Sequence, residues 1–187
     1  MNILIVVDMQ NDFITGSLAN PYAERIVPEI AKEIMSGKYD YVIATRDTHF
    51  DEGYGPSIEY GSSIEGKHLP IKHCIWGTQG WMVPKEIEDA MAKCKSVFHD
   101  KHNFCAIRLP SICSEVIDNG SEDEIDCEHD SITLVGTCTD ICVISNALFL
   151  KTLPYEINVI ERLCAGTTKE NHDAAIKVMR QCHVNII

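Results

Sequence analysis

Short apolar runs rich in β-branched residues alternate along the chain with amphipathic, helix-like segments. Five runs predict strands and a sixth predicts a final short one: NILIVV (2–7), YDYVIAT (39–45), SVFH (96–99), SITLVGT (131–137), YEINVIERLC (155–164) and VNII (184–187). This alternation predicts an α/β fold with three α/β/α layers and a mainly parallel central sheet of five or six strands.

The segments between these strands contain helical patterns and one long connection. Helices are predicted over 21–37, 83–94, 109–120, 140–153 and 167–182. Residues 48–80 form a Gly- and His-rich connection without periodicity, and loops of that length inside a compact domain are usually functional. The 187 residues suit one domain that spans residues 1–187.

Composition and charge exclude several classes of function. The net charge of -12, from 16 basic and 28 acidic residues, repels phosphate backbones, so nucleic acid is not an expected partner. No apolar run is long enough for a bilayer span and no signal peptide is evident, so no membrane association is expected. The odd number of 9 cysteines, together with the lack of an evident signal peptide, predicts a reducing, cytoplasmic location where most of them are buried apolar residues. The cysteines contain no CxxC pair, so zinc ribbons and thioredoxin-type motifs are unsupported.

Reactive side chains follow four of the predicted strands. Asp8 follows the first strand, Asp47 and His49 follow the second, Lys101 follows the third, and Cys142 lies in the first turn of the helix after the fourth. Parallel strands place their carboxyl ends along one edge of the sheet, where such folds bind ligands. We therefore expect a carboxylate, a metal-type Asp-x-His pair, an ammonium group and a thiol to converge at that edge.

Cys142 is a candidate nucleophile because of its predicted position at a helix N-terminus. Unpaired backbone N–H groups and the helix dipole lower the pKa of a thiol there, and a nearby lysine acts in the same direction. The same N–H groups can stabilise an oxyanion. The alternative interpretation is a buried, inert cysteine that packs the helix against the sheet.

Four other residues also have a chemical and a structural interpretation. Asp8 could be a general base that takes the thiol proton and passes it to a leaving amine, or it could stabilise a turn. Lys101 could keep Asp8 ionised and stabilise a thiolate, or it could be a solvated surface lysine. Phe13 and Trp76 could form an apolar wall for a planar ligand, or they could belong to the core.

The Asp47-x-His49 pair indicates a metal site, because residues two apart in an extended segment point the same way. The long connection offers three further ligands, which are Glu65, His68 and His73. A mixture of carboxylate and imidazole suits Zn²⁺, Fe²⁺ or Mn²⁺. The alternative is a group of surface histidines beside a polar cluster of Asp47 and Arg46.

Five segments together resemble the isochorismatase-like cysteine hydrolases, and in particular the nicotinamidases. They are VVDMQNDF, TRDTH, EGKHLPIKHCIWGTQGW, DKHNF and GTCTDICV, which occur in this order within residues 3–143. The resemblance implies a cysteine amidohydrolase that converts nicotinamide to nicotinate and ammonia through a thioester. It also implies one divalent metal ion per chain, with zinc preferred over iron or manganese, and a small-molecule amide as the partner.

The resemblance assigns catalytic roles to individual residues. It implies that Asp8, Lys101 and Cys142 form a catalytic triad. It further implies that the backbone N–H groups of Cys138 and Cys142 form an oxyanion hole, in a turn where a cis peptide joins Thr137 to Cys138. These assignments agree with the roles that the residue types alone suggest.

The implied metal set and substrate pocket depart from the family pattern in two places. The implied metal ligands are Asp47, His49, Glu65 and His73, and the implied pocket residues are Phe13 and Leu69. Many nicotinamidases carry another histidine soon after the Asp-x-His pair, and its absence here leaves Glu65 or His68 to complete the metal site. Leu69 or His68 stands where several nicotinamidases have an aromatic ring, which leaves the choice of amide substrate open.

Two other functions are compatible with these residues. One is a related cysteine hydrolase that acts on another carboxamide or on a carbamoyl compound. The other is a non-catalytic metal-binding or redox-sensing protein that uses the thiol of Cys142, although sensing would not require Asp8 and Lys101. Isochorismate hydrolysis is disfavoured because family members with that activity lack the nucleophilic cysteine. Homo-oligomeric assembly is a further expectation from the family.

Overall fold

Six strands form one sheet in which every described pairing is parallel. The computed structural model describes residues 1–51, 68–120 and 130–187. The strands are β1 (Asn2–Val7), β2 (Tyr41–Asp47), β3 (Ser96–Lys101), β4 (Ser131–Thr137), β5 (Glu156–Ala165) and β6 (Asn185–Ile186). Their order across the sheet is β3-β2-β1-β4-β5-β6, so the predicted α/β fold with a parallel sheet is confirmed.

Helices connect these strands on both sides of the sheet. They are α1 (Asn11–Ile14), α2 (Pro21–Ile34), α3 (Lys85–Met91), α4 (Leu109–Gly120), α5 (Ile144–Leu150) and α6 (Lys169–Gln181). A single π-helical turn (Thr139–Val143) joins β4 to α5. The sequence pattern predicts one continuous helix over 140–153, and the π turn is therefore a difference from the prediction.

The two faces of β1 pack against different helices, which gives the three layers. Ile3, Ile5 and Val7 belong to a core cluster that also contains residues of α4, α5 and α6. Leu4 and Val6 belong to a second cluster with residues of α2 and α3. Successive side chains of a strand point to opposite faces, and every residue from Ile3 to Val7 is buried. Each such aliphatic side chain contributes about 1.5–3 kcal/mol by its burial.

Local capping explains where two of the helices begin. Pro21 occupies the first turn of α2, where its missing N–H costs nothing, and the side chain of Asn20 accepts a hydrogen bond from the N–H of Tyr22. The hydroxyl of Thr168 accepts from the N–H of Asn171 at the start of α6.

The part of the chain that the structure describes contains no helix with the length and apolar character needed to cross a membrane.

The strand order reverses between β1 and β4, and this places a crevice at their carboxyl ends. Each of these strands is bonded to the other and to one outer neighbour, β2 or β5. In open α/β sheets such a switch point is where ligands bind. β2 and β3 extend two residues beyond their predicted ends, so Asp47 and Lys101 are the last residues of their strands and pair in register.

Candidate active site

Asp8 lies fully buried at the carboxyl end of β1 in a left-handed backbone conformation, with φ of 47°. Asp tolerates this region better than most residues do. Its backbone N–H donates to the carbonyl of Thr45 at 3.2 Å, and its Oδ1 accepts from the Thr45 hydroxyl at 2.7 Å. These bonds to β2 fix the carboxylate at the edge of the crevice.

Gly136 permits β4 to approach β1 closely beside Asp8. Its φ is +123°, and a Cβ atom there would lie 2.1 Å from the carbonyl oxygen of Val7. Only glycine avoids both the steric conflict and the unfavourable conformation. The close approach brings the turn after β4 next to Asp8.

Lys101 joins the acidic groups to the thiol at the end of β3. Its Nζ lies 2.8 Å from Oδ2 of Asp8 and 3.3 Å from Oδ1 of Asp47. It also donates to the carbonyl of Asn103 at 3.0 Å and lies 3.6 Å from the Sγ of Cys142. The ammonium group is buried, so each of these contacts is stronger than it would be in water.

Cys142 is buried in the π turn with its thiol directed at Lys101 and Asp8. The sequence predicts a lowered thiol pKa, but the structure gives the opposite direction for the resting protein. Burial raises the pKa of Cys142 well above its ordinary value, Lys101 opposes this, and Asp8 adds to it through its charge and a hydrogen bond. Desolvation outweighs the effect of the neighbouring ammonium group.

The carboxyl of Asp8 is tuned in a way that suits proton transfer. Burial raises the pKa of Asp8, Lys101 lowers it, and the nearby charge of Asp47 raises it again. The pKa of Lys101 is also raised: burial opposes its charge, but Asp8, Cys142 and Asp47 together favour the ammonium form. A carboxylate with a raised pKa is a stronger base, and it lies beside a thiol.

Asp47, His49 and His73 form a buried group with the donor atoms of a metal site. Their ligand atoms all lie within 4.8 Å of one another. Oδ2 of Asp47 is 2.9 Å from Nε2 of His49 and 3.4 Å from Nε2 of His73. Nδ1 of His73 lies 2.8 Å from the carbonyl of Ile71, which orients its Nε2 toward Asp47.

Asp47 carries a negative charge that a metal ion could neutralise. Burial acts to raise its pKa, but Lys101 and the hydrogen bonds with His49 and His73 hold the pKa of Asp47 well below its usual range. One carboxylate and two imidazoles suit Zn²⁺, Fe²⁺ or Mn²⁺, so the residues present fit a divalent metal ion.

Gln10 holds the backbone of Asp47, a role that the sequence did not reveal. Its Nε2 donates to the carbonyl of Asp47 at 2.8 Å and to that of Trp81 at 2.9 Å, and its Oε1 accepts from the N–H of Asp47 at 2.7 Å. The side chain is fully buried. The only sequence signal was an amide placed directly after an apolar strand.

Asp12 holds the segment that carries His73. Its Oδ2 accepts from the N–H of Cys74 at 2.8 Å, and Cys74 has a left-handed backbone with φ of 48°. The same Cys74 bonds through its carbonyl to the N–H of His49 at 3.0 Å. The polar run after β1 therefore fixes both segments that supply metal-type ligands.

The other two predicted metal ligands, Glu65 and His68, are not found in the buried ligand group of the part of the chain that the structure describes, whereas the predicted cis peptide is present. Glu65 lies outside the described residues. His68 is exposed and is not part of the buried ligand group found among the described residues. The peptide between Thr137 and Cys138 is cis, and the carbonyl of Cys138 accepts from two N–H groups within the π turn.

A cavity of about 740 Å³ opens above these groups. Its lining includes Asp47, His73, Cys138 and Cys142 together with the predicted pocket residues Phe13 and Leu69. The ring of Phe13 lies 5.5 Å from the ring of His73. A planar ligand in this cavity would therefore contact the apolar wall, the thiol and the metal-type group.

Trp76 does not line the cavity as predicted, and Phe104 lines it without having been predicted. Trp76 is 51% exposed, packs near Trp81, and is not among the described residues that line the cavity. Phe104 does line the cavity, with 47% of its surface exposed, although no pattern in the sequence singles it out.

The fold and these side chains define a class of protein. Residues 2–187 match the Isochorismatase domain family, so the chain belongs to that family and the resemblance found in the sequence is confirmed.

Two relatives by sequence and one solved structure are similar to this chain over most of its length. The nicotinamidase of Escherichia coli (strain K12) is 29% identical over 194 residues, which cover 92% of this chain and 86% of that protein. The nicotinamidase/pyrazinamidase of Mycobacterium tuberculosis is 28% identical over 201 residues, which cover 100% of this chain and 98% of that protein. The crystal structure of the pyrazinamidase of Pyrococcus horikoshii in complex with zinc has a TM-score of 0.73 at 21% identity, covering 100% of this chain and 98% of that one.

Proposed function

We propose that the protein is a metal-containing cysteine amidohydrolase that converts nicotinamide and water to nicotinate and ammonia. The observation that carries this proposal is the buried contact of Lys101 with both Asp8 and Cys142, at 2.8 Å and 3.6 Å. Structural packing alone does not need an acid, an amine and a thiol beneath one cavity. The nicotinamidases among its relatives support the choice of reaction.

The three side chains can perform the first half of the reaction. Asp8 takes the proton of the Cys142 thiol, and the sulfur attacks the carbonyl carbon of the amide. The negative charge that develops on the oxygen is stabilised by the backbone N–H groups of Cys138 and Cys142. Asp8 then gives its proton to the leaving nitrogen. Ammonia departs, and a thioester between the acyl group and Cys142 remains.

The same residues complete the second half. Asp8 accepts a proton from a water molecule that attacks the thioester carbonyl, and the bond between carbon and sulfur breaks. The proton on Asp8 returns to the sulfur of Cys142, and the product leaves as nicotinic acid, which releases its proton to water and becomes nicotinate. Throughout the cycle the ammonium of Lys101 stabilises whichever of its two neighbours carries the negative charge.

Asp47, His49 and His73 would hold the metal ion, which we propose to be zinc, with Glu65 or His68 completing the ligand set. The zinc complex of the Pyrococcus horikoshii protein supports a metal in this fold. When bound, such an ion supplies a Lewis acid for a ring nitrogen or a water molecule. The cytoplasmic location and the homo-oligomer both stay predictions from the sequence.

Ammonia release from nicotinamide by the purified, zinc-loaded protein tests the proposal. Pyrazinamide and aliphatic amides should be assayed beside it, because Leu69 lines the pocket where several nicotinamidases have a ring. Cys142→Ala should lower turnover by at least a thousandfold, because the nucleophile is lost. Cys182→Ala, which removes an exposed thiol, is the matched control and should retain the parent rate.

Two results would contradict the proposal. Turnover of Cys142→Ala at the parent rate would remove Cys142 as the nucleophile. Absence of ammonia release from any amide in the panel, by a folded and zinc-loaded protein, would favour the non-catalytic metal-binding alternative.

A further inference from the structure

Asn146 is a fully buried polar residue one helical turn beyond Cys142. Its Nδ2 donates to the carbonyl of Cys142 at 2.7 Å and to the carbonyl of Phe104 at 3.1 Å. Its Oδ1 accepts from the N–H of Ala106 at 2.9 Å. Both donors and the acceptor of one amide are therefore used, and two of the three bonds go to the segment that follows β3.

That segment, residues 102–108, connects β3 to the start of α4 and is held at three places. Nδ1 of His102 lies 2.8 Å from the carbonyl of Thr48. Nζ of Lys101 bonds the carbonyl of Asn103 at 3.0 Å, and the amide of Asn146 bonds Phe104 and Ala106. Ala106 is buried in the core. The only large apolar side chain in the segment that reaches the cavity is that of Phe104.

Phe104 is fixed through its backbone and not by burial of its ring. Nearly half of its surface is exposed, although the ring lines the same cavity as Cys142. An exposed ring on a loop has little packing to fix its position. The bonds from Asn146 to the carbonyl of Phe104 and to the N–H of Ala106 can supply that restraint.

We infer that Asn146 is a positioning residue that sets the distance between the Phe104 wall and the Cys142 sulfur, and with it the placement of a planar amide. The inference rests on the proposed function for its substrate. The same side chain bonds the carbonyl of Cys142 and the backbone around Phe104, so the nucleophile and the wall are held by one amide. Displacement of a reacting group by about 1 Å can cost about a hundredfold in rate.

A double-mutant cycle tests whether Asn146 acts through Phe104. Asn146→Leu keeps the size of the side chain but removes its three hydrogen bonds, and we expect KM for nicotinamide to rise about tenfold. Phe104→Ala should raise KM by a similar factor. Residues that act as a unit are not additive, so the double variant should show about the same tenfold increase and not a hundredfold one.

Asn158→Leu provides the matched control. Asn158 is another buried asparagine, but it pairs with Thr133 toward the opposite end of the sheet. This variant should leave KM unchanged even where it lowers stability. If Asn146→Leu does not fold, Asn146→Ser can replace it, because the serine hydroxyl makes only part of the hydrogen bonds. Asn146→Ser should then raise KM for nicotinamide by a smaller factor.

Hydrogen exchange measures the restraint without any substrate. Peptides that cover residues 102–108 should exchange at least tenfold faster in Asn146→Leu than in the parent, and those of Asn158→Leu should not. Unchanged exchange in this segment, or faster exchange with an unchanged KM, would overturn the inference. A parent protein without nicotinamide turnover would overturn the proposed function. The rate of hydrogen exchange over residues 102–108 would then decide by itself whether Asn146 restrains that segment.

Discussion

At the scale of single residues, the amide of Gln10 shows how a side chain without direct chemistry can determine a site. It bonds both backbone groups of Asp47 and one of Trp81, and it is fully buried. Groups that orient metal ligands in this way typically change metal affinity by 10–100-fold when they are removed. The position of the Asp47 carboxylate therefore depends on a residue from the loop after β1.

Gln10→Ala should weaken zinc binding by about 10–100-fold, because the backbone of Asp47 loses its restraint. Calorimetric titration of the metal-free protein with Zn²⁺ measures this directly. Asn11→Ala is the control: the Asn11 amide bonds the carbonyl of Gln79 at an exposed position and should not alter affinity. Equal zinc affinity in Gln10→Ala and the parent would show that Asp47 needs no such support.

At the scale of elements, α2 is tied to two neighbouring segments by one nearly buried acid. Glu33 accepts hydrogen bonds from Lys38 at 3.0 Å and Tyr39 at 2.9 Å, and Arg162 of β5 lies 3.4 Å away. Burial acts to raise the pKa of Glu33, but the hydrogen bonds and charges of these partners lower it below its ordinary value. The ionised form is therefore more stable in the folded protein than in the unfolded chain.

The lowered pKa fixes the direction of the pH dependence. The stabilisation by Glu33 is complete above its unfolded pKa of about 4.3 and is lost as pH falls through the lower, folded value. Glu33→Gln should lower the free energy of unfolding by about 1–3 kcal/mol at pH 7. The difference from the parent should shrink as pH falls below about 4.3, because the glutamate of the unfolded chain is protonated first and folded Glu33 only at lower pH.

Urea unfolding at pH 7 and at pH 3.5 measures both effects. Glu29→Gln is a suitable control, because Glu29 forms an exposed pair with Lys32, and its loss should change stability by less than about 0.5 kcal/mol. A loss in Glu33→Gln that stayed the same at both pH values would mean that the charge of Glu33 does not contribute.

The sequence predicted most elements because the strands and long helices differ in hydrophobic period. It missed α1, whose four residues are too few to show a period, and it missed the π turn, because a helix-like pattern does not reveal which carbonyl each N–H bonds. Helix ends were less well predicted than helix centres. The helix predicted over 21–37 ends at Ile34, three residues early.

At the scale of the whole molecule, the topology explains which parts of the site could be predicted. A parallel sheet brings the ends of its strands to one edge, so Asp8, Asp47, Lys101 and Cys142 were found from strand positions alone. Gln10, Phe104 and Asn146 were not found, because their roles depend on bonds between side chains and backbone groups 37 to 71 residues away. Such pairings are decided by tertiary packing and leave no local pattern.

Asp47, His49 and His73, the proposed metal ligands, join the end of β2 to the segment around His73, so a metal ion bound there should stabilise the whole domain. A ligand at 100 times its Kd adds about 2.7 kcal/mol to the free energy of unfolding. For a chain of this size that corresponds to a rise in Tm of about 5–11 °C, which thermal unfolding with and without chelator will measure. Asp47→Ala should abolish the rise, whereas Asp173→Ala, which removes an exposed partner of Lys169, should keep it. A rise of equal size in Asp47→Ala would place the stabilising ion elsewhere.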